Sequence, residues 1–187
     1  MILYIKNMVC NRCVKVVKEE LYNLGYSVKE IELGKAVIAE NPSPSELDSI
    51  RKVLEANGFA LIEDSKKKII EQIKNLIINK VHHQKDDLSE ISFSKVIEEE
   101  IGRDYSTLSK IFSSIEQSTI EHFIILQKIE KVKEYLRYGE LTLSEIAYSL
   151  GYKSVNHLSS QFKKHTGLTA TEFKETTAQK RKPLDQI

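Results

Sequence analysis

The apolar pattern of this chain changes period once, close to residue 64, and that change limits the folds open to it. Before that point short β-favouring runs alternate with runs at helical spacing. After it every apolar stripe is helical. A single all-α or all-β architecture is thereby excluded, and the chain reads as α+β in two parts. Its 187 residues suffice for two small cores.

In the first part, Ile2-Leu3-Tyr4-Ile5 reads as a strand, and Cys13 to Leu24 carries Val14, Val17, Leu21 and Leu24 at helical spacing up to Gly25. Ser27 to Leu33 alternates with period two. Gly34-Lys35 signals a turn and Ala36 to Ala39 continues as a strand, which together predict a hairpin. Ser43-Pro44-Ser45-Glu46 is a capping box with proline at the first helical position. It opens a helix through Ile50, Val53 and Leu54 that Asn57-Gly58 closes, and Phe59 to Ile62 makes a last strand. The order βαββαβ predicts a ferredoxin-like sandwich over residues 1–64.

From Ser65 onward the stripes predict seven helices. Ile69 to Val81 is the first, followed by the polar stretch His82 to Ser89. Phe93 to Ile101 ends at Gly102, and Asp104 caps the next helix. A capping box at Ser118 and Glu121 is expected to open a long helix to Gly139. Thr142 with Glu145, Ser154, and Thr169 with Glu172 begin three short helices in a row. The domain reads as residues 65–178, with a basic tail at 179–187. His82 and His83, adjacent at a helix end, read as solvated surface.

Charge is uneven along the chain although the net value is only +1. Residues 1–64 hold eight Lys or Arg against ten Asp or Glu, and the remainder twenty against seventeen. Leu150 to Thr171 contains Lys153, Lys163 and Lys164 and no acid, a local potential suited to phosphate. No apolar run is long enough for a membrane span, and the amino-terminal residues lack the form of a signal peptide. A cytoplasmic protein with no membrane partner is expected. No phosphate-cradling glycine loop and no Ser-His-Asp set is evident, so an enzyme is not expected.

A helix, a glycine turn and a second helix occur twice, around Gly102 and Gly151. In the second pair, Ile146, Ala147 and Leu150 face inward, as do Leu158 and Phe162. Lys153, Ser154, Val155, Asn156, His157, Ser159, Ser160, Gln161, Lys163 and Lys164 are left outside or on the flanks. Amides, hydroxyls and cations at the front of a helix suit base edges and phosphates. The first pair offers Arg103, Tyr105, Ser106, Thr107, Ser109 and Lys110 behind a helix carrying Glu98, Glu99 and Glu100, so base reading and mere phosphate positioning both stay open there. The stretch Leu143 to Lys174 resembles the C-terminal signature of AraC-type transcription regulators, and the resemblance extends back to Ser65. It implies a DNA-binding domain of two helix-turn-helix units joined by the helix Thr119–Tyr138. Tyr105–Ser114 and Val155–Thr166 would then be recognition helices, one duplex turn apart. Ala170 and Lys128 stand where that family often has Pro and Arg.

Cys10 and Cys13, in Met8-Val9-Cys10-Asn11-Arg12-Cys13, lie between the first strand and the first helix. A helix N-terminus and the charges of Arg12 and Lys15 favour thiolate. Two soft thiolates suit Cu(I), or Zn with further ligands. The loop and its frame resemble the heavy-metal-associated domains of copper chaperones and metal-pumping ATPases. That resemblance implies that Met8 packs inward while Cys10 and Cys13 coordinate an ion. Asn7, Val9 and Arg12 depart from the family's pattern. Metal sensing, a thiol redox switch, and an assembly module with incidental cysteines remain open.

The expected function is sequence-specific transcription regulation, with duplex DNA and the transcription machinery as partners and a homodimer permitted but not required. The competing expectation is a metallochaperone-type protein whose helical part mediates assembly.

Overall fold

A computed structural model describes residues 1–83 and 88–175, which divide into two compact units between Leu76 and Ile77. Part of the polar stretch 82–89, the end of the domain read as 65–178, and the basic tail 179–187 lie outside the described residues.

The first unit runs β1 (Ile2–Lys6), α1 (Asn11–Asn23), β2 (Val28–Glu32), β3 (Lys35–Ile38), α2 (Pro44–Ala56), β4 (Ala60–Ile62) and the larger part of α3 (Ser65–Ile78). The strands form one antiparallel sheet in the order β2-β3-β1-β4. In β1 the pleat sends Leu3 and Ile5 into the core and leaves Ile2 and Lys6 exposed. Val17 and Leu21 of α1 and Ile50 and Leu54 of α2 cover the same core. Burying each such side chain is worth about 1.5–3 kcal/mol. Ser43 makes the full capping box with Glu46. The hairpin turn sits one residue earlier than its Gly34-Lys35 signal. Lys35 already pairs with Glu32, so Leu33 and Gly34 form the turn, with Gly34 at φ +78.

α3 starts where Asp64 accepts from the backbone N–H groups of Lys66 and Lys67, both at 2.9 Å. Its early turns bond to the sheet: Lys68 Nζ lies 5.3 Å from the Tyr4 ring centroid, and Glu71 accepts from the N–H of Asn7. These contacts explain why the unit extends twelve residues beyond the boundary read at residue 64. The helix is not continuous to His83, because a π-helical turn occupies Asn79–His83.

The second unit holds α4 (Phe93–Ile101), α5 (Tyr105–Glu116), α6 (Ile120–Tyr138), α7 (Leu143–Ser149), α8 (Val155–Thr166) and α9 (Ala170–Glu175). α4 packs on α5 and α7 on α8, while α6 contacts α5, α8 and α9. α6 is about 28 Å long at the usual rise per residue. Ile120, Phe123, Ile124, Gln127, Ile129, Glu130, Val132 and Leu136 are buried on it, a stripe wide enough to serve helices on more than one side. The α6 cap is Thr119, which accepts from the His122 N–H, and not the Ser118 of the expected box. Thr142 does form its capping box with Glu145, and Ser154 and Asp104 cap as their types predict. No helix among the described residues is long and apolar enough to cross a membrane.

Candidate nucleic-acid interface and thiol pair

The turn that presents α8 depends on one glycine for two reasons. Gly151 sits at φ +67, and a Cβ there would collide with the backbone carbonyl of Leu88. The N–H of Leu88 donates to Ser149 O at 3.1 Å, so this strap is bonded to the end of α7 as well as packed on the turn. Ile146, Ala147 and Leu150 are buried below it, and Leu158 and Phe162 anchor the inner face of α8. Phe162 meets Phe173 of α9 edge-on, with centroids 5.5 Å apart.

With that side committed to the core, Lys153, Ser154, Asn156, His157, Ser160, Lys163 and Lys164 are exposed, and Val155, Ser159 and Gln161 are half-buried. The Ser154 hydroxyl accepts from the His157 N–H at 3.1 Å, so its first task is capping. No carboxylate occurs from Leu150 to Thr171. At the far end of α8, the rings of His165 and His122 lie 5.5 Å apart. Burial, then His122 and Lys164, lower the pKa of His165 below the ordinary imidazole value.

The first pair is built to the same plan with different commitments. The N–H of Tyr105 donates to Glu98 Oε1 at 2.6 Å, and its hydroxyl donates to Glu121 Oε1 at 2.6 Å. Burial and the Glu121 carboxylate push the Tyr105 phenol well up. Ser106 donates to Asp104 Oδ1 at 2.8 Å, and the Thr107 N–H donates to the same oxygen. These bonds hold the Asp104 carboxyl down at about 2. Arg103, Thr107 and Lys110 stay exposed and Ser109 is half-buried. Tyr105 and Ser106 are thus tied into the fold.

In the first unit, Cys10 is the N-cap of α1 without a side-chain capping bond, and Cys13 lies in the first turn. Their sulfurs are 3.3 Å apart, and both thiols are free and half-buried. Burial pushes the Cys10 thiol up, but hydrogen bonds from Cys13 and Arg12 and the Arg12 charge outweigh it, so its pKa is lowered. Burial raises that of Cys13. Of the two, Cys10 is the one whose thiol ionises more readily. Met8 is fully buried, as the resemblance implied.

Sequence reasoning missed what holds this loop. Asn7 adopts φ +71, donates its side chain to Gly58 O at 3.0 Å and its N–H to Glu71 Oε1 at 3.2 Å. Asparagine tolerates the left-handed region, which was the available signal. The buried Glu71, on an apolar helix, had none that specified its partner. His82 is likewise not simple surface: its Nε2 lies 3.0 Å from Oε1 of the buried Gln127.

Comparison with known proteins agrees with this geometry. Residues 97–176 match the family described as Helix-turn-helix domain. Over 76 residues the chain is 36% identical to an uncharacterized HTH-type transcriptional regulator in the cgkA 5' region of Pseudoalteromonas carrageenovora. That match covers 41% of this chain and 45% of the relative, so the chain spans less than half of the relative's length. Among solved structures, the C-terminal domain of AraT, a response regulator from Geobacillus stearothermophilus, superposes with a TM-score of 0.50 at 20% identity. It covers 64% of this chain and 97% of AraT's domain. A transcriptional regulator from Chromobacterium violaceum, described by its AraC-type DNA-binding domain, is 16% identical at a TM-score of 0.49, covering 58% and 95%. The fold of the second unit is that of the AraT domain, and residues 97–176 match the model of a helix-turn-helix domain.

Proposed function

We propose that this chain is a sequence-specific DNA-binding transcription regulator, acting on duplex DNA and through it on the transcription machinery, with no catalytic role of its own. The observation that carries this reading is the outer face of α8: capped, anchored by Leu158 and Phe162, and lined by amide, hydroxyl and cationic side chains without an acid. Docked in a major groove, such a face offers the exposed Asn156 and His157 to base edges and Lys153, Lys163 and Lys164 to phosphates, with Gln161, whose Oε1 is buried, at its margin. α5, with Lys110 on the helix and Arg103 in the turn before it, positions the domain on the backbone. The test is duplex binding over a salt series. Affinity should fall steeply with added salt and differ between sequences, whereas a metallochaperone would show neither.

We read the N-terminal unit as a ferredoxin-like domain related to heavy-metal-associated domains, which makes Cys10 and Cys13 the sensing element for a soft metal ion or for redox state. The two sulfurs fit a thiolate-bound ion. The sulfurs lie 3.3 Å apart at the start of a helix, and as soft thiolate donors they would ligate such an ion together. No group of three or more His, Cys, Asp or Glu suited to a metal occurs among the described residues. Two thiolates alone favour Cu(I) over four-coordinate zinc. Such an ion would be held by Cys10 and Cys13 and would supply a fixed bridge between loop and helix. Replacing both cysteines by serine should leave metal-free DNA affinity unchanged and abolish any copper or zinc response. A surviving response would exclude the cysteine mechanism.

A further inference from the structure

Lys128 of α6 is a cation turned into a partly dry environment beside rings. Its Nζ lies 5.7 Å from the centroid of the Phe93 ring and 5.5 Å from that of Tyr152. Burial lowers its pKa. An ammonium so placed gains more from a ring face than an exposed one does. Phe93 is the first residue of α4 and Tyr152 follows the glycine turn before α8, so one side chain touches both helix pairs.

Tyr152 passes the contact on. Its ring meets that of His157 edge-on, with centroids 5.5 Å apart and planes at 82°. Its hydroxyl is buried and makes no hydrogen bond among the described residues, so ring contacts and not the hydroxyl set its position. His157 stands exposed in the first turn of α8. An exposed imidazole free to change rotamer would lose entropy on meeting a base edge, whereas one already braced loses less.

We infer that Lys128 is a positioning residue for base recognition: its ammonium holds the Tyr152 ring, and that ring fixes the imidazole of His157 at the front of α8. The inference rests on the DNA-reading function proposed above. Lys128 acts through the two rings, so its effect falls on the base that His157 reads.

The experiment uses the full chain. A preferred duplex is selected from a random pool, and affinities are measured on its single-base-substituted set. His157→Ala should flatten preference at one position by about tenfold. Lys128→Met and, independently, Tyr152→Leu should flatten that same position to a similar extent. Adding Lys128→Met to His157→Ala should change little further, because both remove one interaction. Lys128→Arg, which keeps a cation on the rings, should restore the preference. A Lys128→Met variant that weakens all duplexes equally, or whose effect adds in full to that of His157→Ala, overturns the inference and leaves the DNA reader intact. A wild-type chain that selects no sequence overturns the DNA-reading function and this inference with it.

Discussion

α5 and α8 are each twelve residues long, each starts beyond a side-chain cap, and each ends at a left-handed residue, Gln117 and Gly167. Their outer faces differ in how much is already spent. The Tyr105 hydroxyl is bonded to Glu121 and that of Ser106 to Asp104, and three glutamates precede the turn. On α8 Ser154 is committed to capping and Thr166 to backbone carbonyls, and the helix itself carries no acid, although the charge of Lys163 acts on Glu172 of α9. Two copies of one supersecondary plan can therefore divide the work. A helix whose polar groups are consumed internally is fixed in place but has little left to read with, whereas one held by apolar anchors keeps its polar groups for a ligand.

The largest effects should come from the anchors. Phe112 and Phe162 are both fully buried, and Phe→Ala at either should cost about 3–5 kcal/mol in thermal or denaturant unfolding. If the comparison is right, Phe162→Ala also abolishes sequence preference, while a Phe112→Ala chain kept folded at low temperature still discriminates. Next comes charge. Replacing Lys153, Lys163 and Lys164 together by alanine should reduce duplex affinity by roughly a hundredfold and shallow the salt slope by about 0.9 for each phosphate that is no longer neutralised. Replacing Arg103 and Lys110 should lower affinity roughly equally for all sequences, by less. Equal losses of discrimination from the two sets would break the comparison.

Smaller effects sharpen it. Tyr105→Phe should cost about 1 kcal/mol of stability through removal of the bond to Glu121 and leave base preference unchanged. Thr142→Ala removes a cap and should cost about 1 kcal/mol. The acid limb gives a pH test. Asp104 is held at about 2 in the fold against 3.8 as its ordinary value, so its contribution is complete above about pH 4. It is lost as pH falls from there towards 2. Asp104→Asn should flatten the stability profile in that window, as followed by circular dichroism.

What could be read from the chain beforehand was set by local chemistry. Ser43, Asp104, Thr142 and Ser154 cap because a short polar side chain before an apolar stripe has one good use. Ser118 and Thr119 both satisfy that rule, and only the packing of Ile120 and Phe123 decides in favour of Thr119. The hairpin turn moved by one residue because a glycine at φ +78 takes the second turn position. Partners distant in sequence were not legible. Nothing in Glu71 announces Asn7, nothing in His82 announces Gln127, and the Lys128, Tyr152 and His157 stack needs three segments brought together. The chemistry of Cys10 and Cys13 was visible as a type. Their unequal pKa directions depend on burial and on the loop's hydrogen bonds.

The division of labour between α5 and α8 is tested most directly by selecting duplexes from a random pool with the full chain and measuring affinity for every single-base change. The account predicts one sharply read block, lost with the α8 face, and a second block about 10 base pairs away with weak preference. Two equally sharp blocks, or a sharp block that survives removal of Asn156, His157 and Gln161, would contradict it.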